Sequence, residues 1–216
     1  MVLPFMMGFN ELELFHNQIV DNVSPVIVFS FFANPTLRRI TVAYNYMRQS
    51  FVRCLAKLIS MRQDKILEIN LMGSITFADH LEPLTRLLPN MRSLTSLNIG
   101  GCTMTQAYCR CLQDFILKCP VLHTLDLAHC RIAYQGSRYV IDALNRNNSI
   151  RTFNFSHNDM TSATYEFSIK IASIITRHKS LMHLDITNTN LKREELLFIG
   201  LSLTMSKTLL SCHLTA

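Results

Sequence analysis

The chain has no tryptophan, six glycines, six prolines and only 17% charged residues among its 216. Its longest apolar stretch, Val26 to Ala33, is far shorter than the ~20 residues a membrane helix needs. The opening residues Met1 to Gly8 are apolar but carry no basic residue, a poor match to a secretory signal. These absences predict a soluble chain without a membrane association. Seven cysteines form an odd set with no tight spacing, which predicts reduced thiols in a cytoplasmic compartment. Cys109-x-Cys111 would point its thiols to different sides of a helix, so both read as small hydrophobes and not as metal ligands. The net charge of +6 comes from scattered residues, the densest pairs being Arg38-Arg39 and Lys192-Arg193. With no basic stripe interleaved with aromatics, the sequence reads against nucleic-acid binding. No nucleophile elbow, phosphate loop or histidine–glutamate zinc motif is present, so no enzyme, cofactor or small-molecule substrate is expected.

At 49% apolar residues the chain has enough hydrophobic mass for a core, and a repeat organises it. Leu94, Leu97, Ile99, Cys102 and Met104 define a template. It recurs at Leu122, Leu125, Leu127, Cys130, Ile132, then at Ile150, Phe153, Phe155, Asn158, Met160, then at Leu181, Leu184, Ile186, Thr189, Leu191. Upstream copies are Ile66, Ile69, Leu71, Ser74, Thr76; Leu37, Ile40, Val42, Asn45, Met47; and Phe9, Leu12, Leu14, Asn17, Ile19. A truncated copy, Leu209, Cys212, Leu214, ends the series. The starts at 9, 37, 66, 94, 122, 150, 181 and 209 are spaced by 28, 29, 28, 28, 28, 31 and 28. One domain over 1–216 follows.

Within each copy, the residues at offsets 3 and 5 alternate inward as a half-buried strand requires. The Asn or Cys at offset 8 sits where the chain turns and must satisfy buried backbone groups. The remaining ~12–16 residues suit a returning helix of about three turns. Phe51, Leu55 and Ile59 share a helical face, as do Leu81, Leu84 and Leu88, and Ala107, Cys111, Leu112, Phe115 and Ile116. Ser24-Pro25 reads as a helix start, and the longest repeat predicts a helix from Thr161 to His178. A doubly wound nucleotide-binding fold would need a glycine-rich turn after its first strand. Gly100-Gly101, read as lying inside a strand, does not supply it.

The pattern L-x-x-L-x-L-x-x-N/C-x-L is that of leucine-rich repeats. With this repeat length, the chain over 9–216 resembles the ribonuclease-inhibitor class. The resemblance implies an α/β leucine-rich-repeat solenoid, a curved horseshoe segment with about eight parallel strands on its concave face and helices on its convex face. It also implies a non-enzymatic scaffold for binding other proteins. The family includes inhibitors, sensor arms of receptors, GTPase-activating proteins and axonemal subunits. Two uses stay open: a structural subunit of a large intracellular, cytoskeletal or ciliary assembly, and a regulatory binder.

In such a fold the residues at offsets 1, 2, 4, 6 and 7 face outward. Candidate protein-contact residues are Glu13, His16, Arg39, Tyr44, His123, Asp126, His129, Asn154, His157, His183, Asp185 and His213. Six of the eight histidines are among them, with His129 and His157 about 5 Å apart by strand spacing. That pair could also hold a metal or sense pH, but protein contact is the simpler use. Neither end of the array shows a polar cap, so either further parts of a longer protein or other subunits of a complex are expected to cover the ends.

Overall fold

The computed structural model describes residues 8–17, 34–163 and 165–215. Within them, eight three-residue strands form one parallel sheet in chain order. They are β1 (Glu11–Glu13), β2 (Arg39–Thr41), β3 (Glu68–Asn70), β4 (Ser96–Asn98), β5 (Thr124–Asp126), β6 (Thr152–Asn154), β7 (His183–Asp185) and β8 (Ser211–His213). Their register is the repeat itself: Leu97 lies opposite Leu125, Leu125 opposite Phe153, and Phe153 opposite Leu184. Six returning helices are described: α1 (Gln49–Ser60), α2 (Ala78–Thr85), α3 (Gln106–Lys118), α4 (Tyr134–Arg146), α5 (Glu166–Arg177) and α6 (Arg193–Leu203). The expected helix start at Ser24-Pro25, and Ile19, fall outside the described residues. Among the described residues no helix is long and apolar enough to cross a membrane. The fold is an α/β leucine-rich-repeat solenoid.

Each coil closes around an apolar interior because strand alternation and helical periodicity aim at the same space. Ile40 and Val42, Ile69 and Leu71, and their counterparts as far as Leu184 and Ile186 are buried, as are Phe51, Leu55 and Ile59 of α1 and Leu112, Phe115 and Ile116 of α3. Within the sixth coil Phe153, Phe155 and Phe167 of strand and helix meet ring to ring, with centres 5.8 and 5.9 Å apart.

Five local expectations are corrected. Gly100 and Gly101 sit in the turn after β4, where Gly101 has φ +74°, not inside a strand. Ala107 is exposed and Cys111 half-buried, because α3 turns Cys109 inward instead. In the third coil Ile75 is buried and Thr76 exposed, so the apolar side chain enters one residue early. The helix expected over Thr161 to His178 is a 3-10 turn, Thr161–Ala163, followed by α5. Offset 6 is also less open than expected, since Ala43, Gly100, Ala128 and Ser156 are buried under neighbouring coils.

Offset 8 does what its chemistry suggests. The Asn45 amide donates to the Leu14 and Ala43 carbonyls at 2.7 and 2.8 Å and accepts from Asn17 N–H at 2.9 Å. Asn158 likewise donates to Leu127 and Phe155 and accepts from Ile132 N–H. Ser74 donates to Val42 at 2.5 Å. The thiols of Cys102 and Cys130 reach the Leu71 and Ile99 carbonyls at 3.5 and 3.2 Å. Burial pushes the Cys102 thiol up to about 12 and the Cys130 thiol well above its ordinary range, so both stay protonated and unreactive.

A second ladder, at the turn from helix to strand, sits three residues before the repeat start. The Asn34 side-chain Oδ1 accepts from Thr36 N–H, and that of Asn147 from Ser149 and Ile150 N–H. His178 fills the same place with Nδ1, accepting from Ser180 and Leu181 N–H at 3.3 and 2.9 Å, and the Ser206 hydroxyl accepts from Leu209 N–H. His178 is buried, and that burial lowers its pKa against the smaller opposing effect of the Leu144 carbonyl near its other nitrogen.

Two outcomes are expected. Leu125→Ala should cost about 2–5 kcal/mol in urea denaturation, as a large-to-small change in a closed column. A loss under about 1 kcal/mol would mean that this column does not stack as described. His178 should make stability pH-dependent. Its folded pKa lies below the ordinary 6.5, so the unfolded chain binds the proton first as pH falls. Its contribution is complete above about 6.5 and is lost on acidification toward the folded value. His178→Asn, copying Asn147, should keep the fold and flatten this slope. An unchanged acid profile would show that His178 is not its source.

Candidate protein-binding surface

The strand face is ruled into columns, one residue per coil, and each column has its own chemistry. At offset 2, Arg39 of β2 lies between Glu68 of β3 at 2.8 Å and Glu11 of β1 at 4.0 Å. The hydrogen bond from Arg39 to Glu68 raises the guanidinium pKa. Farther along the same column, His183 Nδ1 and the Ser211 hydroxyl lie 2.7 Å apart. All these groups are half-exposed or exposed, so the interactions add little stability and leave the side chains available.

Offset 4 is turned inward on its own backbone. Asn70, Asn98, Asp126, Asn154 and Asp185 each accept, through a side-chain oxygen, from the N–H two residues on. Short polar side chains favour this closed loop. Asn154 also donates to Asp126 at 3.1 Å. Burial raises the Asp126 pKa, opposed by the Ala128 N–H and the Asn154 amide. The candidates Asp126, Asn154 and Asp185 therefore have one side engaged structurally. Glu13 and His213, at the first and last strands, are exposed.

Offset 7 is held in the left-handed region in every described coil. Positive φ is found at His16 (50°), Tyr44 (56°), Gly73 (63°), Gly101 (74°), His129 (56°), His157 (59°) and Asn188 (51°). The chain must reverse here to leave the sheet, and a non-glycine residue in this region is tolerated only where its surroundings hold it. The holding is lateral. His16 stacks on Tyr44 with ring centres 4.7 Å apart, and His129 stacks on His157 at 3.7 Å. The Asn188 amide lies 3.3 Å from the His157 ring. Between the two stacks, Tyr44 lies across bare backbone, where a Cβ on Gly73 would meet its ring at 2.6 Å.

The structure thus brings together His16 with Tyr44, His129 with His157, Asp126 with Asn154, and Arg39 with two glutamates. His123, at offset 1, is half-buried beside β5 and outside these groupings. Desolvation and the neighbouring His157 lower the His129 pKa, and Asp126 raises it by less. Stacked imidazoles direct their nitrogens along their own planes and do not converge on one point. Among the described residues no group of three or more His, Cys, Asp or Glu side chains is placed to hold a metal ion.

Comparison with known proteins agrees with this architecture. A family model described as Leucine Rich repeat matches residues 118–136, the end of α3 through β5 to the start of α4. The tropomodulin C-terminal domain of Caenorhabditis elegans is similar in structure, with a TM-score of 0.54 at 16% identity. That match covers 63% of this chain and 83% of that one. A leiomodin-1 structure, titled Actin-Binding Site 2, has a TM-score of 0.55 at 16% identity, covering 63% of this chain and 79% of that one. No curated protein matches the sequence. At such identity the likeness is one of fold.

The Tyr44–Gly73 contact gives a direct test. Gly73→Ala should lose about 1–2 kcal/mol through its positive φ, with a further loss from the displaced Tyr44 ring. In a Tyr44→Asn background the same change should cost less. Equal losses in both backgrounds would show that Tyr44 does not rest on Gly73.

Proposed function

We propose that this chain is a non-catalytic protein-interaction scaffold, a single repeat domain working as a structural subunit of a large intracellular assembly. The observation that carries this reading is the ruled strand face. Eight parallel strands set side chains at fixed lateral spacing over an open surface, and the offset 2 and offset 7 columns remain available there. An open sheet excludes little water, which suits recognition and offers poor control of transition-state charge. The spacing near 28 residues supports the ribonuclease-inhibitor class of repeat.

A cytoskeletal, cytoplasmic assembly is the finer part of the proposal. It is supported by the fold shared with the leiomodin-1 region, whose title names actin binding. A ciliary assembly would fit the same reading. In it, neighbouring proteins meet the outer strands β1 and β8, which pair on one side only among the described residues. Arg39, Tyr44, His129 and His157 would contact the partner, with His16, His123, His183 and His213 beside them.

The test compares the wild-type chain with Arg39→Glu and His157→Asn by cross-linking mass spectrometry in native lysate and by co-sedimentation with filamentous actin. Asparagine is chosen because it tolerates positive φ. Reproducible cross-links on strand-face residues, lost in these variants, are expected. Cross-links independent of the strand face would overturn the assignment of the binding surface. Failure to sediment with actin would remove the actin-based form of the proposal.

A further inference from the structure

The parallel topology collects every helix C-terminus and strand N-terminus on one edge of the solenoid, and that edge is basic. Each coil from the second to the seventh contributes a cation from a different stretch of sequence: Lys65, Arg92, Lys118, Arg146, Lys179 and Lys207, all exposed. In the described segments that form this edge, from the last helical turn to the next strand, the acidic residues are Asp64 and Glu82, and Glu82 pairs with Arg86. The opposite edge carries both signs, with Asp79, Asp159, Glu166 and Glu194 among Arg131, Arg138 and Lys192. Among the described residues the ion pairs of α4 and α5 lie toward that opposite edge, where Glu166 meets Arg138 and Lys170.

Helix dipoles account for part of this pattern. Lys118 and Arg146 sit in last turns, where a cation is favourable. Lys65, Arg92, Lys179 and Lys207 lie beyond the helices, and the dipole does not explain the lack of carboxylates beside the last three. A second feature opens onto the same edge. Between α5 and α6 runs an apolar groove lined by Ile169, Ala172, Phe198, Leu201 and Met205, with Arg177 at its end. Leu201 and Met205 are 70% and 67% exposed. The helix α6 has apolar residues on its outer side as well as its inner side.

We propose that this edge and groove bind an acidic, amphipathic protein segment, its carboxylates on the basic row and its apolar side chains between α5 and α6. The proposal rests on the scaffold reading and names the chemistry of one partner. Protein is favoured over nucleic acid because the exposed large side chains near the basic row are Met61, Leu117, Met205 and Leu210, all aliphatic. Of the exposed aromatics, Tyr44, Tyr46, Phe77 and Tyr165 lie toward the opposite edge, and Phe198 in the groove is a single ring with no second one among the described residues beside the basic row on which successive bases could stack.

The experiment uses the full chain and fluorescence anisotropy with four labelled probes: a glutamate-rich peptide with leucines at i, i+4 and i+7, polyglutamate of equal charge, single-stranded RNA and duplex DNA. The amphipathic peptide should bind best and weaken with added salt. Combined Lys118→Glu, Arg146→Glu and Arg177→Glu should weaken it about tenfold or more, as should Leu201→Asp, with circular dichroism confirming that each variant is folded. Charge reversal at Arg131 and Lys192 on the opposite edge should leave binding unchanged. Tighter binding of either nucleic acid, no peptide binding, or equal loss from both edges would overturn the proposal. If the wild-type chain shows the strand-face cross-links but binds no amphipathic peptide, this inference falls and the scaffold reading stands. If the cross-links fail and peptide binding holds, the reverse is true.

Discussion

The whole array depends on one buried hydrogen bond repeated from coil to coil. Where the chain leaves each strand, the carbonyl at offset 5 turns out of the sheet ladder and is sealed beneath the next coil. The offset-8 side chain of that next coil meets it: Asn45 at Leu14, Ser74 at Val42, Cys102 at Leu71, Cys130 at Ile99, Asn158 at Leu127. A buried carbonyl left unbonded costs about 1–3 kcal/mol, so this residue fixes both the turn and the stacking. Asparagine also takes up a neighbouring N–H, which a thiol does far less well. The two central coils with Cys102 and Cys130 therefore lean more on packing. At the seventh coil Thr189 bonds its own Ile186 carbonyl instead, and Asn158 takes the Phe155 carbonyl.

The same turn dictates what the surface can be. Reversal after the strand forces positive φ at offset 7, so the residues best placed to meet a partner are drawn from Gly, Asn, His and Tyr. Each non-glycine there is steadied by its lateral neighbour. A contact surface built this way is rigid because its members stack on one another, as His129 does on His157. The adjoining Asx column is spent on bracing the turn. Recognition is left mainly to offsets 2 and 7.

The strands, helices and turn ladder were legible in the sequence because their signals lie within one repeat: apolar residues at offsets 0, 3 and 5, and Asn or Cys at offset 8. Register errors arose where a local residue broke the pattern, as Ile75 did beside Thr76. The ladder of Asn34, Asn147, His178 and Ser206 was missed because four residues of three types share only a position and a hydrogen-bonding capacity. A fixed place three residues before each repeat start was the available signal. The grouping of candidate site residues was legible as columns, but whether a side chain faced solvent or its own backbone was not. Asn154 and His157 look equally outward in sequence, yet one closes a turn and the other stacks. The basic edge was invisible for a different reason: its charges are about a repeat apart and look scattered until the coils align them.

Alignment changes what those charges can do. An exposed ion pair contributes about 0–1 kcal/mol, so none of them alone would hold a partner. Successive helices pack roughly 8–10 Å apart, close to the ~10.5 Å covered by seven residues of an α-helix. A helical segment lying across the coils could thus present one carboxylate per heptad to successive cations without distortion. Such a row raises the rate of encounter and sets orientation more than it sets lifetime. Residence requires apolar burial, which the groove between α5 and α6 offers at one end of the row. The division of labour follows from the geometry: a long charged edge that any acidic chain can find, and a single apolar site that only an amphipathic one can fill.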